Sequence, residues 1–177
     1  LRNQVLSYDV AGYYAYLPML FVERDLRLEK TWKYDMIQLV GVHEHPVSGG
    51  RHLKFTAGMA YLYAPFFAAA HAYTLATNPE EAHGFSLPYR FGIGLAGVVY
   101  PLVGLVFLRR FLRHYVPDAA ISWTLFALFL GTNLFYYSSF RGAMSHGATF
   151  MLGAAMLYQA DLWRRREQVW RLGVLGV

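Results

Sequence analysis

The chain contains no cysteine. This excludes disulfides, a thiol nucleophile and any thiolate zinc site, and leaves the redox compartment open. Charge is also scarce. Asp, Glu, Lys and Arg make up 15% of the 177 residues, against about 25% in soluble domains. No internal repeat or low-complexity tract stands out. Gly92-Ile93-Gly94-Leu95-Ala96-Gly97 fits G-x-G-x-x-G by letter. No strand precedes it and it opens an apolar run, so it is not read as a nucleotide phosphate loop. Small residues there suit close helix packing instead.

What is present is apolar and aromatic. Hydrophobic residues reach 56%, aromatics 18% and mean hydropathy is +0.26. Such a composition points to a membrane protein with Tyr and Trp at bilayer interfaces. The net charge of +5 comes from Arg clustered beside apolar segments. That pattern reads as membrane topology, not as a nucleic-acid surface.

Four apolar segments run over about 53–76, 91–108, 119–140 and 143–163, each near the ~20 residues that cross a bilayer. Arg109, Arg110 and Arg113 follow the second; Arg164, Arg165, Arg166 and Arg171 follow the fourth. The positive-inside rule puts both clusters in the cytoplasm and the loops at 77–90 and 138–146 outside. Segment 53–76 carries Lys54, Pro65 and His71 among many Ala. It is expected to be interfacial or re-entrant, with the other three segments spanning. Residues 1–52 then form an outer loop with an interfacial helix, and 53–177 the membrane region. The expected fold is all-α, a polytopic transmembrane bundle with an outer amphipathic segment. The chain begins with Leu1 and reads as a piece of a longer protein.

The amino-terminal stretch is the most specific. Tyr13, Tyr16, Leu17 and Leu20 recur at helical spacing. Pro18 breaks a helix interior, so two short helices or one are expected, followed by a polar loop over 31–52. Asp9-x-x-Gly12-Tyr13-Tyr14-Ala15-Tyr16-Leu17-Pro18 resembles the first outer-loop motif of the GT-C class of membrane glycosyltransferases, in the branch of the aminoarabinose transferase and the protein O-mannosyltransferases. Lys54 before the Pro65-containing helix, Pro88-Tyr89-Arg90, and Arg141-Gly142-Ala143-Met144-Ser145-His146 resemble later parts in the same order. The chain departs from that branch in two places: Val10, not an acid, follows Asp9, and no Pro-Pro follows Lys54.

The resemblance implies inverting transfer of a sugar from a polyprenyl-phosphate donor to an acceptor hydroxyl, at the outer face of the plasma membrane. The acceptor stays open, a divalent metal is an option, and a soluble nucleotide-sugar donor is disfavoured. Asp9 becomes the candidate base. Lys54, Arg90, Arg141 and His146 become candidate contacts to phosphate, with Tyr13 and Tyr16 stacking on sugar or lining the lipid groove.

Each assignment has a plainer counterpart. Asp9 also suits a helix cap, Lys54 a snorkelling residue, and Arg90 a span anchor. Tyr13, Tyr14 and Tyr16 suit an interface belt. His146 suits phosphate, metal or a helix interface. His43-Glu44-His45 offers a metal pair of low specificity. Asp25 is a reserve acid that, with Glu23, otherwise pairs Arg24, Arg27 or Lys30 on a solvated face. The competing function is a non-catalytic membrane protein that binds or transports lipid-linked glycans.

Overall fold

In the computed structural model the described residues are 5–6, 9–25, 27–34, 41–166, 170, 173 and 176. Arg171, counted above in the second arginine cluster, lies outside them. The chain is mostly helical. Two compact units divide it at Ala96 and Gly97.

In the first unit, α1 (Asp9–Tyr14) and α2 (Tyr16–Phe21) are two short helices joined at Ala15. Pro18 does not break the second. It is the third residue of α2, where a missing N–H leaves no intrahelical bond unmade. Asp9 is the first residue of α1, so it does not cap a helix starting at Val10 or Ala11. The chain then reverses through two left-handed residues, Arg24 and Leu28, into a 3-10 helix at Glu29–Lys33.

The polar stretch expected as a loop also contains a hairpin. β1 (Val42–Glu44) and β2 (Arg51–Leu53) pair antiparallel, with Val42 opposite Leu53, His43 opposite His52 and Glu44 opposite Arg51. His45 N–H donates to Gly50 O at 2.8 Å, and Gly49 takes the positive φ the turn requires. A strictly all-α reading therefore omits a small two-stranded sheet.

Helix α3 (Gly58–Thr77) buries Ala60, Tyr63, Phe67, Ala70 and Thr74, alternating three- and four-residue steps. Phe67 meets Tyr14 of α1 (ring centroids 5.9 Å) and Phe21 of α2 (6.0 Å). After α3 the chain reaches Gly84, whose carbonyl accepts the Tyr14 hydroxyl. Helix α4 (Leu87–Leu112) follows. Its first turns pack on α3: Tyr89 lies 5.4 Å from Phe67, and its hydroxyl shares a 2.5 Å hydrogen bond with His71 Nδ1. His71 is packed between the Phe67 and Tyr89 rings.

The second unit holds the rest of α4, then α5 (Asp118–Gly131), α6 (Asn133–Ser139) and α7 (Ser145–Arg166). Gly97 and Gly104 of α4 let the partner segments approach. A Cβ on Gly97 would stand 1.7 Å from Gly142 O, and one on Gly104 would stand 2.7 Å from the Phe150 ring.

Among the described residues, only α4 is by itself long and apolar enough to cross a membrane. A three-span bundle is not supported. The segment expected to span 119–140 is broken into α5 and α6, bent by 65°. Thr132 makes the break: its hydroxyl donates to Leu128 O of α5 at 2.7 Å and accepts from Leu134 N–H of α6 at 3.2 Å. One side chain thus satisfies the end of one helix and the start of the next. Helix α7 carries Gln159, Asp161, Arg164 and Arg165, which dilute its apolarity. The bent α5–α6 pair fits either a broken span or a re-entrant loop.

The close approach at Gly97 predicts a sharp contrast. Gly97→Ala should destabilise the second unit by about 1–3 kcal/mol, since backbone must move. Gly153→Ala, where a Cβ meets nothing within 4 Å, should stabilise α7 by about 0.5–1 kcal/mol. Thermal midpoints in detergent micelles check both; equal shifts would contradict the packing.

Candidate functional site

The amino-terminal candidates converge on Phe55. Gly12 faces its ring, and a Cβ at Gly12 would lie 2.1 Å from it. Tyr13 meets the ring edge-on, centroids 4.9 Å apart at 64°. Tyr16 donates its hydroxyl to Phe55 O at 2.5 Å. Lys54 is exposed, its ammonium 5.6 Å from the same ring. The segment carrying Lys54 is therefore fixed to α1, which carries Asp9 and Tyr13, and to α2, which carries Tyr16. Asp9 and Tyr13, four residues apart, share one face of α1. Asp9 is exposed, and no ion pair joins it to Lys54 among the described residues.

Arg90 is tied to the same body. It sits half-buried in the first turns of α4, its Nε–H donating to Phe85 O at 2.9 Å. Phe85 packs edge-on against Tyr14, centroids 5.7 Å apart. The chain of contact runs from Arg90 through Phe85 and Tyr14 to α1. Burial, the main cause, and the neighbouring Tyr89 and Tyr34 hydroxyls push the Tyr14 phenol far above its ordinary value, so Tyr14 acts as a neutral donor to Gly84.

Arg141 and His146 belong to the second unit: Arg141 lies on the turn between α6 and α7, and His146 is the second residue of α7. Arg141 is exposed; its N–H donates to Tyr136 O at 3.3 Å and its carbonyl accepts from Met144 N–H at 2.9 Å. His146 packs against Tyr137, centroids 3.9 Å apart with the planes tilted by 35°. The two side chains bracket one tight turn.

Other acids settle into structural roles. Asp25 is buried, not on a solvated face, and accepts backbone N–H from Arg27 at 3.0 Å and Lys30 at 2.6 Å. It holds the chain reversal and is no longer a reserve acid. Glu23 binds Lys33 at 2.8 Å, Lys30 at 3.5 Å and the Tyr34 hydroxyl at 2.9 Å. Its partner Lys30 was among those expected; Lys33 and Tyr34 were not. In the hairpin the His43 and His52 rings lie 5.8 Å apart. Among the described residues no set of three His, Asp or Glu is arranged to hold a metal.

Sequence reading missed the most elaborate polar cluster. Asp161 of α7, its side chain 2% exposed, accepts from His114 Nδ1 (2.6 Å), Tyr115 OH, Arg164 Nη2 (3.1 Å) and Arg165 Nε (2.8 Å). A buried carboxylate demands such company. The available signal was one acid inside an apolar run. Comparison with protein-family models, curated proteins and solved structures finds no match for this chain.

The Glu23 cluster yields a pH test. The hydrogen-bonded Lys33 ammonium, first among several causes, holds the Glu23 carboxyl below its usual value of 4.5. A carboxyl lowered in the folded state contributes stability that is present above its unfolded value and lost as pH falls through the folded one. Glu23→Gln should therefore lower the thermal midpoint at neutral pH, and the gap to the parent should close below about pH 4.5. A gap that is constant down to about pH 3 would contradict the assignment.

Proposed function

We propose that this chain is part of a GT-C-like membrane glycosyltransferase that moves a sugar from a polyprenyl phosphate to an acceptor hydroxyl, with inversion. The observation that carries the reading is the anchoring of α1. Its exposed Asp9 shares one packed unit with Lys54 and Arg90, and that unit leads into α4. Of the most apolar stretch of α4, 28% is buried, so most of an apolar helix faces outward, as a lipid-facing helix does.

In this reading Asp9 accepts the proton of the acceptor hydroxyl as the oxygen attacks the anomeric carbon. The glycosidic bond to phosphate breaks as the new bond forms, and the lipid phosphate leaves with the bonding pair. Lys54 and Arg90 stabilise the charge growing on that phosphate. A polyprenyl phosphate is a good leaving group, so fixed cations serve it better than a strong acid. Tyr13 and Tyr16, fixed through Phe55, offer ring faces to a sugar. Arg141 and His146 are assigned phosphate or acceptor contact on the resemblance alone. The working face is the outer one, and the membrane a plasma membrane.

Asp9→Asn should lower sugar transfer by about 10²–10⁴-fold, the usual worth of a positioned base, while polyprenyl-phosphate binding persists. Arg90→Gln and Lys54→Gln should weaken donor binding as well as turnover. Transfer assayed with radiolabelled lipid-phosphate sugars in the full-length protein decides. Full activity in Asp9→Asn sinks the reading. Lipid-phosphate binding with no transfer by the parent protein favours a glycan-binding or transport role.

A further inference from the structure

The second unit gathers arginines at one end. The Arg-bearing end of α4 and the turn after it are tied to the end of α7 through Asp161: His114 and Tyr115 reach it from one side, Arg164 and Arg165 from its own helix. Arg164 Nη2 also donates to the Tyr115 hydroxyl at 2.8 Å, and the Arg165 guanidinium lies 5.4 Å from the Tyr115 ring. Asp161 thus fixes two guanidinium groups while each spends a single nitrogen on it. The side chains of Arg164 and Arg165 stay 66% and 40% exposed. Arg109 and Arg113 lie on the chain leading to His114 and, among the described residues, share the exposed Asp118, at 3.9 and 3.5 Å. Arg110 is exposed as well. Five arginines against two aspartates leave an excess of three positive charges.

We propose that this cluster binds the phosphates of anionic phospholipid headgroups. Charge complementarity selects the ligand sign, and position selects the source. The arginines begin where the apolar run of α4 ends, at the depth where headgroups lie if α4 is in a bilayer. Tyr115 and, one residue before Arg164, Trp163 add partly exposed rings of the kind that favour the interface. Preorganisation sets this cluster apart from loose juxtamembrane charge: the buried carboxylate holds Arg164 and Arg165 in place before any lipid arrives. The inference rests on the membrane placement of α4 and needs nothing of the sugar chemistry.

The test uses tryptophan quenching by brominated lipid. The protein, with Trp32, Trp123 and Trp170 replaced by Phe, is reconstituted in vesicles of phosphatidylcholine with an equal part of phosphatidylglycerol, one or the other brominated. Trp163 then reports the lipid beside Arg164. Brominated phosphatidylglycerol should quench it preferentially at low salt, and the preference should shrink at high salt. The Arg110→Gln/Arg113→Gln variant, which leaves Asp161 and its partners intact, should reduce the preference by up to about five-fold per charge removed. The Arg110→Lys/Arg113→Lys variant should keep most of it. Equal quenching by both lipids in the parent, or an unchanged preference in the Gln variant, overturns the proposal. Quenching by neither lipid overturns it together with the membrane placement of α4.

Discussion

Both units depend on backbone approach at positions that have no side chain. In the first, Gly12 is the place where the Phe55 ring rests on α1. Any Cβ there would push the ring away, and with it Lys54, the Tyr13 edge contact and the carbonyl that Tyr16 holds. The contact matters beyond its area, because an edge-to-face aromatic pair adds about 0.5–1.5 kcal/mol to simple burial. In the second, Gly97 lets the turn at Gly142 lie against α4 and Gly104 accepts Phe150. Interfaces of this kind gain from dispersion at short range and need no polar anchor. A chain with so little charge relies on them.

The few acids divide by how they are satisfied. Asp25 is enclosed and spends its oxygens on backbone N–H groups that a tight reversal leaves open. Asp161 is enclosed and spends its oxygens on four side chains. Glu23 lies between, bound to two lysines and a phenol. Each of these has its oxygens committed to partners within the fold. Asp9 differs from all three, being exposed on the first turn of a helix whose other face is fully packed. That contrast, more than its sequence surroundings, supports its selection as the base.

Legibility followed the range of the interactions. Apolar runs located α3, α4 and α7 to within a few residues, because that signal is local. The hairpin was hidden, since His43 and Glu44 are both exposed and Val42 and Leu53 give no alternating pattern. Its pairing joins residues about ten apart and leaves no periodic trace. The break at Thr132 was hidden inside a continuous apolar run, where hydropathy sees composition and not the hydroxyl that ends one helix and starts another. The surroundings of Asp161 were least legible, because His114 and Tyr115 lie 47 and 46 residues away. In the site itself, the choice of Asp9, Tyr13, Tyr16, Lys54 and Arg90 came from the sequence. Phe55, which brings Lys54 to the aromatic helix, did not. Its neighbours drew attention by charge, and a lone Phe among apolar residues carries no such mark.

The Asp161 cluster also constrains how this chain can thread a membrane. It joins the turn after α4 to the far end of α7, so the path from residue 113 to residue 164 begins and ends at one place. If α4 crosses a bilayer, the intervening chain must return to the side where α4 leaves, and its crossings are even in number. The contacts decide how that parity is met. From the turn at Gly142 against Gly97, through Phe150 at Gly104 and Tyr158 beside Phe107, to Asp161 at His114, the chain runs alongside α4 in the opposite direction. If α4 crosses, α7 therefore crosses beside it and α5–α6 makes the other crossing. Asp161 and its arginines then compensate for the lower apolarity of α7 at its charged end, and its 22 residues give about 33 Å, enough to span. This path keeps the two arginine clusters on one side, as the positive-inside rule asks, and carries Arg141 and His146 to the opposite face, where the proposed chemistry would need them. The path of α7 therefore bears on function as directly as any single side chain does.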